Sequence, residues 1–196
     1  THAIAGIELS QFGQNEVLGV DRRTREYVPG YGDMDRSGQF AFPDGVEKRD
    51  YLLWISAAGR PLKARFVGEE DFQGIRVFLF KVSEQDVYIG RQQGTGLRQF
   101  LDIVTELKVE PVSGTTVRSQ SDVTMKTIPL PGVKMPYYVS SLVFTEDTIA
   151  ELMDTATDAR TGLLWAGVYG FWLGIGLGIA LMLVGVLGAI RTRPKE

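Results

Sequence analysis

A mainly β extracytoplasmic domain built on an antiparallel sheet, followed by a juxtamembrane helix and one C-terminal transmembrane helix, is the fold class this sequence predicts. Three observations predict it. Residues 163–190 hold no charged side chain, and a helix needs about 20 apolar residues to cross a bilayer. From Gln39 to Phe144, short stretches with apolar residues at alternate positions are separated by Gly, Pro and Asp clusters, the pattern of strands and turns. Beyond Phe144 the spacing becomes helical, with Ile149, Leu152, Met153 and Ala156 on one side.

These observations divide the chain into a β-rich extracytoplasmic domain (1–144), an amphipathic juxtamembrane helix with a bend at Thr161 and Gly162 (145–162), a transmembrane helix (163–190) and a basic cytoplasmic tail (191–196). A soluble core helix this apolar would need a larger domain around it than 196 residues supply. Trp165, Tyr169 and Trp172 gather at one end of the apolar run, where amphipathic rings settle among headgroups. Arg191, Arg193 and Lys195 follow the other end, and short basic flanks stay in the cytoplasm. The sequence starts at Thr1 with no basic, apolar leader after it. A removed leader, an upstream membrane helix or the anchor itself would then direct export.

Composition excludes several classes of function. A net charge of -3 and a pI near 5.3 argue against nucleic acid and against an anionic headgroup surface as partner. There is no cysteine, hence no disulfide framework, thiolate nucleophile or cysteine metal site. His2 is the sole histidine and has no acid-base constellation near it, so Ser-His-Asp hydrolysis and zinc chemistry are not expected. No nucleotide or haem motif appears, and no cofactor is expected. Glu69, Glu70 and Asp71 adjoin, and read as the solvated tip of a turn.

Along the chain, residues 1–14 have no firm period and read as a strand or ordered arm. Residues 16–20 and 25–28 read as a hairpin around the polar 21–24, and 29–38 as a loop. A short strand before Pro43, strands at 51–56 and 63–68, and a strand beginning near Ile75 follow. In that last strand Ile75, Val77 and Leu79 face one way and Phe78 and Phe80 the other, which implies cover on both sides. Residues 86–90 read as a separate short strand and 91–99 as a glycine-rich loop. Leu101, Ile103, Leu107 and Val109 alternate with polar residues, and this strand should pair antiparallel with 115–128 across a turn at 110–114. The proline-rich 129–136 should lie outside the sheet, because proline lacks a donor. A last strand precedes the helix, which Thr145 or Asp147 can cap. The helix then packs on the β domain or forms a collar around partner subunits.

One loop has a metal-like pattern. Asp33, Asp35 and Ser37 stand at alternate positions before Gly38, with Asp44 eleven residues after Asp33, as oxygen ligands recur in calcium loops. Pro43 and the short Asp44 side chain depart from that pattern. The competing reading is a turn whose Asp and Ser side chains bond their own backbone.

Four stretches resemble the Porin PorA-like family of unknown function, found mainly in actinobacteria: FAFPDGVEKRDYLLW from Phe40, ARFVGEEDFQGIRVFLF from Ala64, the strand ending KVEPVSGTTV at Val117, and the helix at 145–160 leading to the anchor. The resemblance implies a β-rich extracytoplasmic domain held by membrane helices at both ends. Here no first membrane helix is visible and the exterior part is shorter. It assigns no residue a role.

The anchor carries the strongest site pattern. Gly170, Gly174 and Gly178 recur every four residues and form one helical face on which another transmembrane helix can approach closely. The expected partners are membrane lipid and other transmembrane helices, from copies of this chain or from subunits of a larger complex. The expected function is a non-catalytic, membrane-anchored scaffold or accessory subunit. The alternatives are a subunit of an oligomeric pore or transport complex, and a carbohydrate- or lipid-recognition module using the regions of Tyr31, Trp54 or Tyr88.

Overall fold

The computed structural model describes residues 16–92 and 94–191, and before them two short paired strands, β1 (Ala3–Ile4) and β2 (Ile7–Glu8). The rest of the expected N-terminal arm and residues 192–196 of the tail lie outside the described residues. β3 (Leu18–Val20) and β4 (Tyr27–Gly32) form the expected antiparallel hairpin. Its turn is held by Asp21, whose carboxylate accepts the backbone N–H groups of Arg23 and Thr24 at 2.8 Å.

Six strands then form an antiparallel meander: β5 (Tyr51–Ile55), β6 (Arg60–Phe72), β7 (Ile75–Arg91), β8 (Arg98–Val109), β9 (Thr116–Leu130) and β10 (Val133–Val143). Each strand lies beside its neighbour in sequence, as short turns dictate. The strands are staggered. Residues 60–64 of β6 pair with β5 and residues 65–72 with β7, with a bulge between Phe66 and Gly68. β7 runs on past Lys81 with β8 alone, so β7 to β10 extend together beyond the rest of the sheet.

Both faces of β7 are covered, as its sequence implied. On one side Phe78, Phe80 and Val82 join Leu101, Ile103, Leu53, Leu62 and Phe42. The rings of Phe42, Tyr51 and Phe66 stand 4.5–5.7 Å from that of Phe80, mostly edge to face. On the other side Val77 and Val117 receive Ile149, Met153 and Ala156 of α1 (Glu146–Leu164). The Thr145 hydroxyl caps α1 by accepting the Thr148 N–H at 3.2 Å, and Glu146 and Asp147 complement the positive end of the helix. α1 thus packs on the sheet through Ile149, Met153 and Ala156.

Several local expectations are corrected. Residues 40–42 are not a strand; Gln39 bridges Glu26 and Leu53, and the chain then drops Phe42 into the core. Glu69, Glu70 and Asp71 are not a turn but the interior of β6, opposite Phe78, Val77 and Arg76. The turn comes at Gln73 and Gly74, whose φ values of 47° and 88° suit a tight reversal. Residues 86–90 continue β7 across a bulge at Asp86, whose N–H is taken by the Asp102 carboxylate at 2.9 Å. Pro129 and Pro136 lie within strands. Pro136 is tolerated because β10 is an edge strand and the register shifts beside it. β4 extends to Gly32, so the following loop starts later than expected.

Thr161 and Gly162 lie inside the helix and do not interrupt it. It continues to Leu164, passes through one π-helical turn at Trp165–Tyr169, and resumes as α2 (Gly170–Arg191). A glycine with φ in the helical range costs conformational entropy without forcing a break.

Candidate functional site

Between Glu146 and Leu183 the chain forms one 38-residue helix, long and apolar enough to cross a membrane, and none of its most apolar window is buried by the rest of the protein. Leucine, isoleucine and glycine give its C-terminal half no polar face. Around the π turn the rings collect: Trp165 and Tyr169 lie 5.3 Å apart, and Phe171 and Trp172 5.9 Å apart. Trp165, Tyr169, Trp172 and Leu173 border a shallow apolar hollow of about 380 Å³. Such rings, apolar in body and polar at one tip, mark the level of the headgroups.

The three glycines singled out from the sequence do not stand alike. A Cβ on Gly174 or Gly178 would meet nothing within 4 Å, so that face is bare. A Cβ on Gly170 would come to 3.0 Å from the Trp165 carbonyl oxygen, the group that accepts the Gly170 N–H across the π turn. Gly170 thus has less free space than the other two, beside a carbonyl of its own π turn.

The loop carboxylates go to separate partners. Asp33 pairs with Arg36, a buried guanidinium that also lies 3.5 Å from Glu16. That bond holds the Asp33 carboxyl below its ordinary range and raises Arg36. Asp35 accepts the Gly30 N–H at 3.4 Å, and Asp44 faces Arg25 at 3.5 Å. Ser37 lies in the exposed part of the same loop. Among the described residues no three His, Cys, Asp or Glu side chains are grouped to hold a metal.

The aromatic residues considered for carbohydrate or lipid sit on different strands. Tyr31 is on β4 and exposed; Trp54 on β5 packs against Tyr27 at 5.9 Å; Tyr88 on β7 packs against Phe100 at 5.8 Å. A mixed cleft of about 550 Å³ opens on the sheet, bordered by Glu70, Leu79, Lys81, Glu106, Lys108 and Arg118. Its cations are largely satisfied: Lys81 pairs with Glu106 at 2.8 Å, and Lys108 pairs with Glu70 while lying over the Phe72 ring.

Sequence reasoning missed one polar anchor. Glu110 is buried at the β8–β9 turn, where its carboxylate accepts the Ser113 N–H at 2.7 Å and hydroxyl at 2.8 Å. Its EPVSG context reads as an ordinary exposed turn, and no local signal distinguishes it.

A family model described as Porin PorA matches residues 13–187. The chain belongs to the Porin PorA family. The match takes in β3 to β10, α1, the π turn and most of α2, so the sheet and the apolar helix together are the family's unit. No curated protein matches the chain. Family membership and the apolar helix make this a membrane-associated protein of the Porin PorA family.

Proposed function

We propose that this chain is a non-catalytic, membrane-anchored scaffold or accessory subunit of a membrane protein assembly. The β-rich domain (1–144) stands outside the cytoplasm, residues 145–162 connect it to the membrane, 163–190 cross it, and 191–196 lie in the cytoplasm. The observation that carries the reading is the bare face at Gly174 and Gly178 in an apolar stretch of helix that no strand of the described chain buries. In lipid, a partner helix gains close dispersion contacts at such a face.

Gly174→Leu with Gly178→Leu tests it in the full chain, with Gly176→Leu, which lies off that face, as the control. Co-purification of partner chains in mild detergent should be lost in the double variant and kept in the control. Equal recovery from both would remove the reading. Orientation is checked separately, because the chain has no cysteine of its own. A membrane-impermeant maleimide should label Thr95→Cys in intact cells, and Thr192→Cys after permeabilisation alone.

A second reading, a subunit of an oligomeric pore or transport complex, is favoured by the family description and by the two open edges of the β7–β10 ladder.

A further inference from the structure

The mixed cleft of about 550 Å³ holds one charged group that the fold leaves without a partner. It opens on the face of the sheet that receives α1, and Leu79 belongs both to the cleft wall and to the apolar cluster under the helix. Along one row of that face the register sets Leu79 of β7 opposite Lys108 of β8, and Lys108 opposite Arg118 of β9. Like charges directly opposite on neighbouring strands repel. Lys108 leans to the far side: its ammonium lies 4.5 Å from the centre of the Phe72 ring and pairs with Glu70, both on β6. In the next row Glu106 turns the same way, toward β7, where Lys81 holds its carboxylate at 2.8 Å. Both arrangements draw charge away from Arg118. Arg118 is half-buried, and among the described residues its guanidinium forms no ion pair and donates no hydrogen bond.

We propose that this cleft binds a small amphiphilic monocarboxylate, with its carboxylate on the Arg118 guanidinium and its apolar body along Leu79 and Val67. A planar guanidinium offers two parallel N–H donors that match a carboxylate, and the bond is stronger where water is partly excluded. Charge sets the valence of the ligand. The bordering cations are Lys81, Lys108 and Arg118 and the bordering carboxylates are Glu70 and Glu106, so one positive charge is in surplus. A monoanion neutralises it. A phosphate monoester carries more than one negative charge at neutral pH and would place the excess beside the two carboxylates. The volume suits such a ligand, because small-molecule sites run about 300–1,000 Å³ and combine apolar walls with a few polar groups. Val67 is 58% exposed and Leu79 half-buried, so both have surface to offer an apolar body. Gln120, opposite Glu106 on β9, adds an amide for a further polar group of the ligand. The apolar helix takes no part in this site, so it stands apart from the assembly reading above.

The full chain in nanodiscs of zwitterionic lipid, with empty nanodiscs as the blank, tests this by saturation-transfer NMR of hexanoate. Hexanoate should bind saturably, and acetate, which has the carboxylate without the body, should compete more weakly. Hexanamide, the same body without the charge, should bind about tenfold or more weakly, as should hexanoate to Arg118→Met. Arg118→Lys keeps the charge but not the planar fork, and its affinity should fall between wild type and Arg118→Met. Three results overturn the proposal: hexanamide binding as tightly as hexanoate, undiminished hexanoate binding to Arg118→Met, or no saturable hexanoate signal at about ten times a millimolar Kd. Hexyl phosphate binding more tightly than hexanoate overturns it in favour of a phosphate ester. Circular dichroism checks the fold of each variant. If Arg118→Met does not fold, undiminished hexanoate binding to Arg118→Lys is the overturning result in its place.

Discussion

Arg160 Nε, near the end of α1, lies 3.9 Å from Glu110 Oε1, the carboxylate buried at the β8–β9 turn. The pair ties the helix to the sheet just before the apolar segment begins, while Ser113 satisfies the other oxygen of the same carboxylate. The two partners should contribute unequally. Glu110→Ala removes a buried acceptor and leaves the Ser113 N–H without its bond, a loss of about 2–4 kcal/mol. Arg160→Ala removes a side chain that is 40% exposed and should cost about 1 kcal/mol or less. Thermal unfolding of the full chain in detergent followed by circular dichroism distinguishes them; equal losses would mean that the ion pair, and not the turn, carries the effect.

Gly114 and Gly132 share a left-handed backbone, with φ of 71° and 79°, but have different surroundings. A Cβ on Gly114 would overlap the carbonyl oxygens of Phe42 and Pro43, where the 42–46 segment docks through bonds from Gly45 and Val46 to Val112 and Pro111. A Cβ on Gly132 would meet nothing. Gly132→Ala should therefore cost about 1–2 kcal/mol from backbone strain alone. Gly114→Ala should cost clearly more and loosen Phe42, read as a larger drop in melting temperature and faster amide exchange across 42–46.

Ile149 is 1% exposed and lies against Val77 and Val117. Ile149→Ala should weaken the docking of α1 by about 2–4 kcal/mol. Thr145→Ala, which removes the cap alone, should cost about 1 kcal/mol. Hydrogen exchange in residues 146–160 should rise far more for the first variant than for the second.

The far end of the ladder carries a charge network that sets a pH window. Lys134 donates to Asp86 at 2.6 Å, and this bond, with the nearby Lys126, holds the Asp86 carboxyl below its ordinary value of 3.8. A depressed carboxyl stabilises above its unfolded value, and that contribution is lost as pH falls through the lower folded value. Lys126, bonded to Asp102, is raised above 10.5. Its contribution is present below that value and lost as pH rises through the higher folded one. Amide protection in residues 84–90 and 124–136 should thus be flat through neutral pH and fall at both extremes. Lys126→Met should remove the alkaline fall and reduce the acid one.

Much of this architecture is legible locally. The alternation at 101–109 predicts one buried and one wet face; β8 buries Leu101, Ile103 and Val109, while its other side is mostly half-buried, with only Glu106 exposed. The double-sided apolar pattern from Ile75 to Phe80 needs cover on both sides, and the aromatic core and α1 provide it. The strand limits were less legible, because local chemistry is permissive there. Acidic residues at 69–71 fit a turn or an edge equally well, and their fate was set by Gln73 and Gly74, by Lys48 in the loop before β5 and by Lys108 on β8. The prolines of 129–136 exclude a central strand but not an edge.

What the amino-acid sequence determined by itself was the division into a β-rich part, an amphipathic helix and an apolar helix, since periodicity and continuous hydrophobicity are properties of neighbouring residues. The tertiary structure alone decided the stagger that leaves residues 82–91 of β7 without β6 beside them, and the burial of Glu110 beneath Arg160. Each depends on which group distant in sequence a residue meets, and no local pattern encodes that meeting.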